Sequence, residues 1–151
     1  MNPNDTNSYF NRGLQNNDCH YYNEAIADFT KAIELKPKEF DAFANRGISK
    51  QKLKKYNEAI LDYKLAIELE PKNAYAYFNM GLTKKDLKDY NEAIKDFTKV
   101  IELQPQYGGA YYKRGLCNKI LENKTEACLD LQKAVELGFT DAIDTMNSYC
   151  K

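Results

Sequence analysis

The sequence predicts an all-α chain of tandem helical hairpins, and three periodic series carry that prediction. Gly13, Gly47, Gly81 and Gly115 stand 34 residues apart, and Ala25, Ala59, Ala93 and Ala127 keep the same step. Pro37, Pro71 and Pro105 form a third series at that spacing. A fixed period of this size marks a stack of like supersecondary units, each burying its apolar face on the next. Such a stack works through a surface rather than a catalytic pocket. No strand-like alternation of apolar and polar residues interrupts the pattern.

Each block opens with a helix. An aromatic stands four residues before the glycine (Tyr9, Phe43, Tyr77, Tyr111), and an aliphatic residue follows it (Leu14, Ile48, Leu82, Leu116). That spacing lies along one side of a helix of about 14 residues, as over 40–53. Glycine in mid-helix costs ~1 kcal/mol against alanine, so its recurrence points to a close helix approach. The recurrent alanines let the second helix close on it. A short polar break follows, with Asn23, Asn57, Asn91 and Thr125 as the expected N-caps and a glutamate next to suit the helix dipole. The second helix carries Ala59, Ile60, Tyr63, Ala66, Ile67 and Leu69 as an apolar stripe. It stops where Pro71 forces the preceding residue out of helical conformation, and Pro37 and Pro105 do the same in their blocks.

The fourth block ends differently. Phe139 stands where the proline belongs, and Gly138 supplies the C-cap signal. Thr140 then reads as the N-cap of a last helix with the apolar face Phe139, Ala142, Ile143, Met146 and Tyr149, a cap for an open-ended stack. The chain is expected to divide into a tail over 1–5, repeats over 6–39, 40–73, 74–107 and 108–138, and the capping helix over 139–151.

Composition narrows the function classes. Lysine plus arginine and aspartate plus glutamate are both 22, so the net charge is zero and nucleic acid is not implied. No stretch approaches the roughly 18 apolar residues of a membrane span. The opening residues lack the apolar core of a signal peptide, so the chain reads as cytoplasmic.

The period, with aromatic, Gly, Ala, aromatic, Ala and Pro at these steps, resembles the tetratricopeptide repeat over about residues 6–138. Asn45-Arg46-Gly47 and Asn57-Glu58-Ala59-Ile60 are typical of the motif. One departure stands three residues after each glycine, where the usual tyrosine is Asn16, Lys50, Lys84 and Asn118; Leu53, Leu87 and Leu121 are expected to supply the missing packing. The resemblance implies a right-handed superhelix, an α-solenoid of four helix-turn-helix units, whose first helices line a concave groove for an extended peptide or a partner helix.

By that resemblance the groove is expected to hold Phe10, Asn11, Asn45, Ile48, Tyr75, Phe78, Asn79, Leu82, Lys85, Tyr112, Lys113 and Lys119. Phe10, Phe78 and Tyr112 are the expected exposed anchors. Leu14, Ile48, Leu82 and Leu116 are either groove floor or interhelix packing. Asn11, Asn45 and Asn79 recur at one helical position and offer donors and acceptors for a peptide backbone; the alternative is a purely structural amide. Lys113 breaks that series, which leaves a ligand carboxylate near Lys85, Lys113 and Lys119 as an open reading. The carboxylate clamp for chaperone C-termini is rejected. Its positions hold Phe10, Leu14, Asn45, Tyr75 and Asn79 in one register and Ala44, Ile48, Asn79, Gly109 and Lys113 in the next, without the clustered charge a dicarboxylate needs.

Arg12, Arg46 and Arg114 precede the glycines, while Asp28, Asp62, Asp96 and Asp130 recur on the second helices. Arg–Asp stitching is favoured over phosphate binding, and Met80 should leave Asp96 without an arginine. Cys19, Cys117, Cys128 and Cys150 show no metal-ligand spacing. Counting back from the turns, Cys128 lies near the height of both Cys117 and Cys150 on antiparallel neighbours; Cys128 and Cys150 either form a clip in an oxidising compartment or remain thiols, the latter being favoured in a cytosolic chain. His20, beside Cys19 at a helix break, makes no catalytic dyad. The expectation is a non-catalytic adaptor without cofactor or metal, binding a protein or peptide and neither nucleic acid nor membrane. The alternatives are self-assembly through the uncapped first repeat, as a homo-oligomer, or a segment of a larger protein.

Overall fold

The computed structural model describes residues 5–151, so the first four residues of the expected tail lie outside the described residues. All the regular structure among the described residues is helical: α1 (Thr6–Asp18), α2 (Tyr22–Leu35), α3 (Phe40–Lys52), α4 (Tyr56–Leu69), α5 (Ala74–Asp86), α6 (Tyr90–Leu103), α7 (Gly108–Ile120), α8 (Lys124–Glu136) and α9 (Ala142–Tyr149). The chain forms two compact units, one ending at Ala76 and the other starting at Tyr77. In the first, α1 packs on α2, α3 on α4, and α2 on α3. In the second, α7 packs on α8 and also on α6, and α9 lies against α8.

The break inside each hairpin is set by backbone rather than by caps. His20, Lys54, Lys88 and Glu122 take left-handed φ values of 65°, 60°, 64° and 62°. The next amide then reaches back to close the helix end, from Tyr21 to the Asn16 carbonyl at 2.8 Å and from Lys55 to Lys50 at 2.9 Å. The second helices therefore start at Tyr22, Tyr56, Tyr90 and Lys124, two residues earlier than the expected caps imply. Asn23, Asn57, Asn91 and Thr125 lie inside the first turn, and no side chain caps these four helices. Thr140 likewise gives way to Asp141 at the start of α9. The prolines act as expected: Lys36, Glu70 and Gln104 before them are extended, with φ near −135° to −138°.

The glycines mark a close approach, and the neighbour is a ring. A Cβ at Gly13 would stand 2.7 Å from Phe29 Cε1, one at Gly47 2.7 Å from Tyr63 Cε1, and one at Gly81 2.9 Å from Phe97 Cε1. Phe29, Tyr63 and Phe97 are fully buried, so these rings have little room to yield. Block four has Leu131 in place of the ring, and the Gly115 contact passes to Asp130 Cβ at 3.1 Å. Phe43, Ala44, Ala66 and Ala76 form one core cluster in the first unit; in the second, Ala93, Phe97 and Cys117 form another, and Leu131, Ala134 and Ala142 join α9 to the last hairpin.

Buried charge stitches the hairpins. Asp28, Asp62, Asp96 and Asp130 are all buried. Arg46 donates Nε and Nη2 to Asp62 at 2.9 and 2.7 Å, and Arg114 does the same to Asp130 at 2.9 and 2.7 Å. Arg12 pairs with Asp28 through Nε at 2.8 Å. These are the planar two-bond pairs that guanidinium and carboxylate favour. Arg46 also reaches Thr30 Oγ1 and Arg114 reaches Thr98 Oγ1 on the preceding second helix. The structural reading of the arginines thus holds over the phosphate one.

The residues that replace the usual tyrosine serve the same carboxylates. Asn16 Nδ2 donates to Asp28 at 2.9 Å, while Lys50 and Lys84 lie 2.8 Å from Asp62 and Asp96. Leu87, expected to fill the gap in packing, is instead 41% exposed. In block three Met80 brings no guanidinium, and Asp96 Oδ2 has the Lys84 ion pair by distance but no aligned hydrogen bond. Burial pushes the Asp96 carboxyl up to about 6, against the pull of Lys84.

Candidate functional site

In the first unit, α1, α3 and the first turn of α5 enclose an open cleft of about 410 Å³. Leu14 and Ile48 form its apolar wall, and Tyr75 stands at its edge, 53% exposed. Leu14 and Ile48 project from α1 and α3 one residue past the glycines and are half-buried, so they serve both packing and cleft wall. Asn73 Oδ1 accepts from the Ala76 amide at 2.9 Å and fixes the start of α5, which carries Tyr75.

Two amides line the same cleft, and each is held by a bond within the fold. Buried Ser49 donates to Asn17 Oδ1 at 2.7 Å and to the Asn45 carbonyl at 3.0 Å. Asn45 donates one Nδ2 hydrogen to the Asp41 carbonyl at 2.8 Å. Asn17 thus presents its amide hydrogens, and Asn45 its Oδ1, as donor and acceptor on pre-set supports. Asp18, His20 and Lys52 stand at the polar rim. The left-handed backbone at His20 places its ring against Tyr22, with centroids 5.7 Å apart. The Asp41 carboxyl is pushed up by burial and by the nearby Glu39 charge.

The predicted groove residues separate into two groups. Asn45, Ile48 and Tyr75 meet in the cleft; Asn11 is exposed on α1 and does not line it. Phe10 is half-buried against Phe29, with ring centroids 5.7 Å apart, rather than an exposed anchor. In the second unit, Phe78 packs on Phe97 and Tyr107 at 5.6 and 5.2 Å, and Tyr112 on Phe139 at 5.1 Å. Both rings are half-buried, as are Leu82 and Asn79. Lys85 pairs with Asp86 at 3.1 Å, Lys113 lies 5.0 Å above the Tyr112 ring, and Lys119 lies 5.1 Å from that of Tyr149. Each of these lysines is held by a local partner.

Asp18 and Tyr22 are cleft residues that the repeat pattern does not single out, and His20 reads there only as part of a helix break. The signal that finds them is the left-handed turn, which a non-glycine residue does not announce. Ser49, the support under Asn17, is equally silent in the repeat pattern.

Cysteine corrects one expectation. Cys128 and Cys150 form a disulfide, Cα atoms 5.6 Å apart, because α9 docks beside α8 and brings its C-terminal end to Cys128. Cys19 and Cys117 are free; burial pushes the Cys117 thiol up to about 11, which leaves it a packing group. Among the described residues no cluster of potential ligands could hold a metal ion, and no helix is long and apolar enough to cross a membrane.

Comparison with known proteins bears on the same segments. Tetratricopeptide repeat models match residues 74–107 and residues 6–39 with 108–137, and a TPR repeat model matches 52–87. No curated protein matches the chain. Among solved structures, a crystal structure of MamA is 26% identical over 93% of this chain and 82% of its own, with a TM-score of 0.87. The first TPR of Spaghetti (RPAP3), bound to the HSP90 peptide SRMEEVD, is 27% identical over 78% of this chain and 93% of its own, with a TM-score of 0.75. The Arabidopsis OM64 TPR domain is 25% identical over 79% of this chain and 98% of its own, at a TM-score of 0.75.

Proposed function

The chain belongs to the tetratricopeptide repeat family, and from that premise we propose that it is a non-catalytic adaptor whose α1–α3 cleft takes an extended segment of a partner protein. The family and its structural neighbours support a protein-binding scaffold. The observation that carries the finer reading is the cleft itself, where an apolar wall lies beside two amides already fixed by the fold. An apolar side chain of the ligand sits between Leu14, Ile48 and Tyr75, and its backbone bonds to Asn17 and Asn45. Amides pinned before binding lose little rotamer freedom on contact, which favours affinity.

The ligand differs from the acidic peptide held by the RPAP3 repeat. The places a carboxylate clamp needs are here uncharged, or retain only Lys113, so clustered carboxylates find no charge-assisted partner. In a cytoplasmic setting thiols are kept reduced, and the Cys128–Cys150 bond is then a reversible feature rather than a permanent staple.

The test is selection of displayed peptides on the full chain, repeated on the Asn17→Ala, Asn45→Ala double variant. Sequences with a shared apolar anchor, enriched on the wild type and lost on the variant, support the proposal. Enrichment that survives the double substitution removes the cleft from the account.

A further inference from the structure

We propose that the Cys128–Cys150 bond is a redox clip: reduction by a dithiol undocks α9 from the last hairpin, and reoxidation docks it again. α9 has eight residues, well below the ~12–15 at which an isolated helix becomes even marginal in water. Its helical state therefore depends on what it lies against. Ala142 is the buried residue of this helix, and Ile143 is 38% exposed. Ala142 and Met146 contribute to a small cluster with Leu131, Ala134 and Phe139.

The two ends of α9 are tied differently. The chain itself holds the first end, through the turn at Gly138, φ 81°. At the other end the disulfide is the covalent tie to α8. Around it are weak contacts: Lys124 Nζ donates to the Lys151 carbonyl at 3.3 Å, and Lys119 and Lys124 lie 5.1 and 5.8 Å from the Tyr149 ring centroid. Lys124 and Lys151 are exposed, so water competes for both.

The bond is also within reach. Both cysteines are half-buried, and they line an open cleft of about 450 Å³ with Gln132 and Met146. A reductant thiolate attacks one sulfur and displaces the other as a thiolate, leaving a mixed disulfide. The second thiol of the reductant resolves that intermediate. Two electrons pass to the protein sulfurs, the two thiol protons end on Cys128 and Cys150, and the reductant departs as its own disulfide. Opening the bond frees the flank of the last hairpin that α9 covers, including Leu131 and Ala134 beside Ala142 and Lys119 beneath Tyr149. A cross-link spanning 22 residues biases the docked state by ~100-fold or more.

The experiment uses the full chain, equilibrated with oxidised glutathione and followed by hydrogen exchange and thiol titration with and without dithiothreitol. Amides of α9 should exchange ~100-fold faster in dithiothreitol, with α7 and α8 unchanged. Counted after unfolding on a Cys19→Ser chain, in which no exposed thiol takes up glutathione, the free thiols should rise from one to three as the disulfide opens beside Cys117. Cys150→Ser should show the fast α9 rate in either buffer, and removing the reductant from the wild type should restore protection. Equal α9 exchange in both buffers overturns the clip. So does a count of three thiols on the Cys19→Ser chain after oxidised glutathione, and so does an acceleration spread through α7 and α8, which marks a staple of the whole hairpin.

Discussion

Replacing Asp96 with asparagine should flatten the pH dependence of stability. Asp96 is 6% exposed, and the repeat register puts Met80 where the other blocks have an arginine for this carboxylate. Its carboxyl is pushed from 3.8 to about 6, first by burial, with the Lys84 pair opposing. A raised carboxyl pKa means that the folded chain holds a proton the unfolded chain has lost. The group's contribution is therefore most favourable below pH 3.8 and is lost as pH rises through about 6. Between about pH 5 and about pH 7.5 the loss comes to about 1.4 kcal/mol, or ~3–6 °C in Tm for a chain of this size. Urea unfolding followed by far-UV circular dichroism at the two pH values, on wild type and Asp96→Asn, measures it. The other carboxylates cancel in the difference. Equal slopes in the two proteins would refute burial as the cause of the shift.

Other consequences of the same packing are open to measurement. Met80→Arg should supply the missing guanidinium and remove the wild-type slope in the same titration, while leaving the helical spectrum unchanged. Arg46→Met should cost ~2 kcal/mol by removing two charge-assisted hydrogen bonds and leaving buried Asp62 with Lys50 alone, as Asp96 is left with Lys84, and Arg12→Met should cost less in the same urea series, since its side chain is 49% exposed against 15% for Arg46. Gly47→Ala should lose ~1–2 kcal/mol despite its better helix propensity, because the new Cβ meets the buried Tyr63 ring; adding Tyr63→Leu should recover part of that loss. Sedimentation over a wide concentration range should return a monomer, and a concentration-dependent dimer would favour self-assembly over the adaptor reading.

Fold class was legible because the repeat fixes it four times over. The glycine series located the close approach, although the obstacle is the ring on the second helix rather than the matching alanine. The Arg–Asp pairs were legible from type and spacing. The residues in the tyrosine place answer to charge rather than to packing: Asn16, Lys50 and Lys84 each stand twelve residues before the aspartate they serve, a spacing visible in the sequence. Cap positions failed for a different reason. A left-handed turn at His20 or Lys54 closes the helix through the backbone, and no side-chain type signals it. The cleft was half legible. Asn45, Ile48 and Tyr75 follow from helical register, whereas Asp18 and His20 enter through that turn. The disulfide required knowing how α9 lies on α8, which spacing leaves open.

Hydrogen exchange on the full chain, with and without a peptide selected on it, tests the cleft most directly. The account predicts added protection at 11–20 and 42–52, on α1 and α3, and its loss in the Asn17→Ala, Asn45→Ala variant. Protection confined to residues 77–151, or left unchanged by the double substitution, would contradict it.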